Sequence, residues 1–408
     1  MAGIYIHIPF CRQKCIYCNF FSLATKKFRD EFQRALLKEI EFTRDYLADE
    51  PVETIYFGGG TPSLLPVRHL EEIIQRIRGV YPSPASPLKG RGEGFEITIE
   101  LNPDDITPEY LDGLAMAGIN RLSLGVQSFF DEDLRYLGRI HDAKQAEKAL
   151  TQIRDAGYVN LSADLIYGIP TGGNHHWQEN LRRVIDLKIP HLSAYALTVE
   201  ERTPLAWMIP TPGPSPDCFS SLATGGEGRI QDPGSRIRKP VSDDQAAEQF
   251  EILMETMEQA GYIQYEISNF CLPGYESRHN SNYWKGVPYL GLGPSAHSYD
   301  GASRRWNPSH LTAYIHHMAS GKSIFDEEHL IPSQQYNEYV MTSLRTVWGC
   351  DQQEIGRRFG AEYQDYFCRQ AIRCLASGHL QETDGIYTLT RQGKFLADRI
   401  TAELFYLE

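Results

Sequence analysis

Cys11, Cys15 and Cys18 stand close together in the run His7-Ile-Pro-Phe-Cys-Arg-Gln-Lys-Cys-Ile-Tyr-Cys-Asn-Phe20, with the spacing C-x3-C-x2-C. Three thiolates on one short loop can bind three irons of a cubane 4Fe-4S cluster and leave the fourth iron without a protein ligand. Four ligands would close such a site, whereas three keep one position open for a substrate or cofactor, as in catalytic metal sites. An odd set of three does not pair into self-contained disulfides. A zinc site is the alternative, and it needs a fourth ligand. His7 is the nearby candidate, but the strand-like run Gly3-Ile-Tyr-Ile-His-Ile8 places it ahead of the loop.

The elements that must position this loop follow from periodicity. Strand-like runs at Gly3–Pro9, Val52–Phe57, Glu96–Leu101, Arg121–Val126, Leu161–Tyr167 and His191–Val199 alternate with helical patterns. The helices are predicted over Lys26–Leu47, His69–Val80, Pro108–Ala117, Ala143–Ala156 and Trp177–Leu187. A repeated βα unit requires parallel strands joined by crossover helices. Polar and glycine-rich residues gather at the C-terminal strand ends, the active face of a βα barrel or open α/β sheet. The cysteine loop follows the first strand on that same face.

The 408 residues allow more than one domain, and 41% hydrophobic residues support a full core. Residues 1–208 read as the barrel core, with a Pro/Gly-rich surface insertion at 82–94. A second insertion, predicted disordered, covers 209–241 and contains Cys218. Residues 242–325 complete the barrel, beginning with a helix over Asp244–Ala260 and a strand over Tyr262–Phe270. Residues 326–408 read as helices, a hairpin turning at Asp384-Gly385 and a last helix over Arg391–Leu404, a winged-helix-like unit. The net charge of −13 argues against nucleic-acid binding by phosphate neutralisation. No stretch approaches the ~18 apolar residues of a membrane span. The first strand begins almost at Met1, so no signal peptide is expected. Eight cysteines without a disulfide framework, together with an oxygen-sensitive cluster, point to a reducing, cytoplasmic location.

Six motifs occur in order: the cysteine triad, Gly58-Gly-Gly-Thr-Pro62, Glu100-Leu-Asn-Pro103, Ser123-Leu-Gly-Val-Gln-Ser128, Leu137-Gly-Arg139 and Asp164-Leu-Ile-Tyr-Gly168. Together they resemble the radical S-adenosylmethionine enzymes of the oxygen-independent coproporphyrinogen oxidase group, and within it the HemW-type haem chaperones. The resemblance implies an α/β fold, a partial (β/α)6 TIM-like barrel with the cluster at its open mouth. It also implies that the open iron chelates the amine and carboxylate of S-adenosylmethionine, whose reductive cleavage gives a deoxyadenosyl radical. Gly59 and Gly60 would let backbone approach the cofactor, Thr61 would add a hydroxyl, and Glu100 would accept from the ribose or amine. Gln127, Arg139 and Asp164 match positions that hold a second cofactor, with Arg139 suited to clamp a carboxylate. Tyr5 matches a cofactor-contacting tyrosine, and Tyr17 sits between two cluster ligands. The plainer reading of Glu100, Gln127 and Asp164 is that they satisfy strand ends.

Two features separate the oxidases of this group from the chaperones. The oxidases resemble C-x3-C-x2-C-x-C, and Phe20 stands where their further cysteine would be. They also carry an extension ahead of the first strand. Arg278-His-Asn-Ser-Asn-Tyr-Trp284 resembles the H-N-x-x-Y-W signature of the chaperones. Neutral imidazole is a normal axial ligand of haem iron, so His279 is the candidate ligand, with Tyr283 and Trp284 stacking on the macrocycle. The alternative is a hydrogen-bonded internal histidine with Trp284 in a core. His297 is the second candidate, the His316-His317 pair reads as surface, and Cys271 as a buried thiol. The expected function is binding haem and passing it to apo-haemoproteins of the respiratory chain, with a homodimer as a further expectation and docking on membrane haemoproteins as another. The competing expectation is oxidative decarboxylation of coproporphyrinogen III.

Overall fold

Alternation in the first six strands decides the architecture. In β1 (Ala2–Ile8), Ala2, Ile4, Ile6 and Ile8 are wholly buried on one face, while Tyr5 and His7 point to the other. The pattern repeats in β2 (Val52–Gly59), β3 (Glu96–Leu101), β4 (Arg121–Gln127), β5 (Leu161–Tyr167) and β6 (His191–Ala196). Ile55, Phe57, Ile97, Ile99, Leu122, Leu124, Ala163, Leu165 and Leu192 form the apolar face. The crossover helices cover it: α1 (Arg29–Phe42), α2 (Val67–Val80), α3 (Pro108–Met116), α5 (Ala143–Asp155) and α6 (Gly173–Asp186), while the short α4 (Asp131–Leu137) sets Leu137 in a separate small core with Ile166 and Leu205. A parallel sheet buried on both faces normally reads as continuous apolar runs. Here the inward positions are Thr54, Tyr56, Thr98, Glu100, Arg121, Ser123, Ser162, Asp164, His191 and Ser193, so the sheet curls round a polar chamber. The parallel register brings Tyr5 beside Tyr56, Tyr56 beside Thr98, Glu100 beside Ser123 and Asp164 beside Ser193. This is a partial βα barrel, as expected. This computed structural model describes residues 1–82, 95–209, 238–322 and 325–407. The two expected insertions, with Cys218, fall outside the described residues except at their ends.

Both edges of the parallel sheet are extended. After α7 (Pro204–Met208) and α8 (Asp243–Gln259), a hairpin of β7 (Ile263–Glu266) and β8 (Asn269–Cys271) adds antiparallel to β6. The single strand expected over Tyr262–Phe270 is therefore two. The Glu266 carboxylate accepts from Ser268 N–H at 2.9 Å and from Asn269 Nδ2 at 2.7 Å, which closes the turn. α9 (Arg278–Trp284) then crosses the N-terminal ends of the strands, its first turn tied to Glu96 and Glu53. On the other edge, β9 (Tyr289–Leu292) pairs parallel to β1. β10 (His297–Tyr299) and β11 (Ser303–Trp306) follow, then α10 (Leu311–Ala319) and β12 (Asp326–His329). β12 pairs with β11, so residues 326–329 belong to the barrel sheet and not, as expected, to the C-terminal unit.

The remainder has its own core around Tyr336, Val340, Phe367 and Tyr387. It comprises α11 (Pro332–Leu344), β13 (Cys350–Asp351), α12 (Gln352–Phe359) and α13 (Ala361–Ala376). A hairpin of β14 (Leu380–Thr383) and β15 (Ile386–Leu389) and two short helices, α14 (Arg391–Lys394) and α15 (Ala397–Glu403), complete it. Asp384 and Gly385 turn the hairpin with φ of 54° and 84°, the left-handed pair such turns require. The single last helix expected over Arg391–Leu404 is broken at Phe395-Leu396. No described helix is long and apolar enough to cross a membrane.

Candidate functional site

The cysteine loop is held from three sides. At its base, Cys11 N–H donates to Leu23 O at 3.0 Å and Leu23 N–H to Pro9 O at 2.8 Å. The end of β2 locks underneath, with Gly60 N–H on Ile8 O at 2.8 Å and Thr61 N–H on Phe10 O at 2.7 Å. A Cβ at Gly60 would lie 2.7 Å from Phe10 O and 3.1 Å from Cys11 Sγ. Gly59 has φ of 108°, and its Cβ would strike the His7 ring at 2.7 Å. The glycines are thus required by close approach. On the far side, Ile16 N–H reaches Leu137 O at 3.4 Å, Gln13 Nε2 reaches Gly138 O at 3.1 Å, and Arg12 pairs with Asp104 and Asp105.

All three thiols are free and partly exposed. Thr61 Oγ1 donates to Cys11 Sγ at 3.6 Å, and Arg139 Nη1 lies 3.5 Å from Cys15 Sγ. Burial pushes the Cys11 and Cys18 thiols up, so a bound cation must supply the charge that holds them as thiolates. Among the described residues, no three His, Cys, Asp or Glu side chains converge as ligands of one ion. A single zinc demands such convergence. A cubane does not, because each thiolate binds a different iron. His7, the fourth ligand zinc would need, is engaged at both nitrogens: Nε2 with Phe21 O at 2.8 Å and Nδ1 with Tyr5 Oη at 3.2 Å. The donor set fits a three-thiolate cluster.

A chamber of about 450 Å³ opens beside this loop, a size suited to a cofactor. Tyr17, Gly59, Gly60, Thr61, Glu100, Gln127, Arg139 and Asp164 line it together with the three cysteines. Glu100 accepts from Tyr56 Oη at 2.9 Å and Gly59 N–H at 3.2 Å. Burial, with the Asp164 charge adding to it, raises the Glu100 carboxyl to about 7. Asp164 accepts from Ser123 Oγ at 3.1 Å and from Ser162 Oγ at 3.4 Å, and burial raises it to about 6. Gln127 sits at a bulge in β4 with φ of 64°, a conformation costly for a non-glycine residue and typical of functional positions.

Two site residues are placed otherwise than expected. Tyr5 does not line the chamber; it stands behind Tyr56, rings 6.1 Å apart, with its hydroxyl on His7. Arg139 is not a free carboxylate clamp. Its Nη2 donates to Asn102 Oδ1 at 2.6 Å and Gly125 O at 3.1 Å, and its Nη1, 3.5 Å from Cys15 Sγ, braces the cysteine loop. Sequence reasoning missed Asn102, which also donates to Thr61 Oγ1 at 3.2 Å. It missed Arg121 as well, 1% exposed and lining the chamber. The signal available was a polar residue at an inward-facing strand position for Arg121 and one just past the end of β3 for Asn102.

The expected haem cradle is not formed. His279 is buried under α9, with Nδ1 on Thr54 Oγ1 at 2.8 Å and the Tyr56 ring 5.1 Å away. Burial lowers it to about 3. Tyr283 is exposed, and Trp284 lies half-buried with Arg345 5.5 Å from its ring. The α9 helix therefore turns the imidazole inward and the two rings outward, with no common face. His297 is exposed. His316 and His317 lie on α10, exposed and half-buried, and Cys271 is buried, its thiol raised to about 12 by burial.

Residues 5–184 match the family described as Radical SAM superfamily, and residues 330–396 that described as HemN C-terminal domain. The chain is 32% identical to Heme chaperone HemW of Bacillus subtilis, over 98% of each. It is 31% identical to Heme chaperone HemW of Escherichia coli, over 100% of this chain and 98% of that one. The solved structure of Coproporphyrinogen III oxidase (HemN) from Escherichia coli has the same fold, with a TM-score of 0.79, 22% identity, and coverage of 99% of this chain and 90% of that one. The cysteine loop, the polar chamber and this full-length similarity together place the chain in the HemW haem chaperone family of the radical S-adenosylmethionine superfamily.

Proposed function

We propose that the chain binds haem and hands it to apo-haemoproteins, with a 4Fe-4S cluster on Cys11, Cys15 and Cys18 and S-adenosylmethionine in the chamber. The observation that carries this reading is the end-to-end likeness to relatives named haem chaperones. When bound, the cluster supplies an open iron for the amine and carboxylate of S-adenosylmethionine and an electron for its sulfonium. The chain's own residues do the rest. Gly59, Gly60 and Thr61 offer close backbone and a hydroxyl. Glu100, already ordered by Tyr56 and Gly59, accepts from an ammonium or a ribose hydroxyl. Gln127 and Asp164 bound the inner wall, and Arg139 keeps a cation beside Cys15. Respiratory haemoproteins as acceptors, a homodimer and contact with membrane haemoproteins belong to the same proposal.

The competing reading is a coproporphyrinogen III oxidase, and the shared whole-chain fold favours it. Phe20 counts against it. An exposed phenyl group at the chamber mouth replaces the further cysteine of the oxidase pattern. The test is anaerobic. The cluster is reconstituted and given S-adenosylmethionine, reductant and coproporphyrinogen III, and porphyrin masses are read. The expected result is unchanged coproporphyrin beside haem uptake in a parallel titration. Vinyl product over several turnovers would overturn the chaperone reading.

A further inference from the structure

The end of β4 bends where it meets the chamber. Leu124 pairs with Ala163 and Gln127 with Leu165, so β4 carries one residue more than β5 over this stretch. Ser128 N–H donates to Val126 O at 2.9 Å. With Gln127 at φ of 64°, that bond closes a γ-turn of the positive-φ kind, which is rare and strained. The turn folds the Gln127 amide back over Gly125. A Cβ at Gly125 would lie 2.8 Å from Gln127 Nε2, 3.5 Å from Arg139 Nη2 and 3.6 Å from Asn102 Oδ1.

Such strain persists only where the surroundings hold it. After the turn, Ser128 Oγ donates to Asp133 Oδ2 at 2.6 Å and accepts from Asn180 Nδ2 at 3.1 Å. Before it, two consecutive carbonyls are held from the link between α4 and α5. Arg139 Nη2 donates to Gly125 O at 3.1 Å, and His141 Nε2 to Val126 O at 3.1 Å. Resting on the reading of the chamber as an S-adenosylmethionine site, we infer that His141 is a positioning residue for that cofactor, holding the γ-turn from behind and so fixing the Gln127 wall. His141 is 2% exposed and does not line the chamber, so its effect on the cofactor passes through the turn. A carbonyl only accepts, so Nε2 carries the ring proton, and Nδ1 has no partner among the described residues. Burial, and then the Arg139 charge, lower the imidazole to about 4, which keeps this neutral form at ordinary pH. The α4–α5 link thus fastens both sides of the chamber: Arg139 the cysteine loop, His141 the end of β4.

The test uses the full-length, cluster-loaded chain and the variants His141→Ala, His141→Gln, Gln127→Ala and Gln127→Gly. Equilibrium dialysis measures S-adenosylmethionine binding, and electron paramagnetic resonance of the reduced cluster reports the cofactor at the open iron. His141→Ala is expected to keep its iron content and to bind about tenfold more weakly, the scale of one buried hydrogen bond. His141→Gln, whose amide still donates to Val126 O, should restore most of the affinity and the spectrum. Adding His141→Ala to Gln127→Ala should weaken binding no further. Glycine takes positive φ without strain, so His141→Ala should lower the thermal midpoint of the Gln127 chain more than that of Gln127→Gly. Should His141→Ala alone fail to fold, the His141→Ala, Gln127→Gly pair is expected to fold, and failure of both would overturn the assignment. So would unchanged affinity in His141→Ala, or a loss that adds in full to that of Gln127→Ala, and either would leave the cofactor site standing. An unmodified chain that binds no S-adenosylmethionine would overturn the cofactor reading and this inference with it.

Discussion

Glu100 is a carboxylate whose ionisation the fold governs directly. Its proton affinity is raised from the ordinary 4.5 to about 7, chiefly by burial. Between those values the native chain keeps a proton that the unfolded chain has released. The part of stability that Glu100 contributes therefore falls as pH rises from about 4.5 to about 7 and levels off above. The loss is on the order of 3 kcal/mol, and Asp164 acts in the same direction. His279, lowered to about 3 by burial, acts the other way over much of that window, so the test is the difference between two chains: the thermal midpoint of the cluster-free protein relative to that of Glu100→Gln should drop as pH rises from about 4.5 to about 7. A difference that does not change with pH would contradict this. At the cluster, Cys15→Ser should reduce iron and sulfide after anaerobic reconstitution to background with an unchanged circular dichroism spectrum. A retained cluster would mean that Cys15 is not a ligand.

Among the elements, the turn after β2 bears most on the site. Gly60→Ala places a methyl group against Phe10 O, Ile8 O and Cys11 Sγ. Overpacking of this kind costs about 1–3 kcal/mol, and here the strain falls on the cysteine loop. The variant should fold yet reconstitute far less cluster, as measured by iron content. Full cluster content would mean that the loop yields freely. Such a turn was legible in the sequence because its requirement is local: glycines where backbone meets backbone. The parallel strands were legible from the alternation of strand-like and helical segments, which leaves only crossover connections. The β7–β8 hairpin was not, because its turn has no glycine or proline and is closed by the Glu266 side chain. The burial of His279 was legible only as the alternative to a haem ligand. A histidine at the first turn of a helix faces inward or outward according to where that helix docks. Here α9 docks on Glu96 and Glu53, far away in sequence.

At the scale of the whole molecule, the C-terminal unit is joined to the barrel at the β7–β8 hairpin. Arg345 pairs with Glu266 at 3.3 Å, and Val347 N–H donates to Tyr265 O at 3.1 Å. The Glu266 side chain is 1% exposed, so Arg345→Ala strands a buried carboxylate. Breaking a wholly buried pair costs roughly 3–5 kcal/mol. Glu266 keeps Ser268 and Asn269 as donors, which reduces the expected loss to about 2 kcal/mol. Urea unfolding should show it, and adding Glu266→Gln should restore most of it. No recovery in the double variant would locate the effect elsewhere. The central claim concerns the same whole molecule: it carries haem and gives it up. The most direct measurement mixes the haem-loaded chain with excess apo-haemoprotein and follows both absorption spectra. The account predicts that the acceptor gains haem as the chain loses it, with the porphyrin mass unchanged. Haem that stays on the chain against that excess would contradict it.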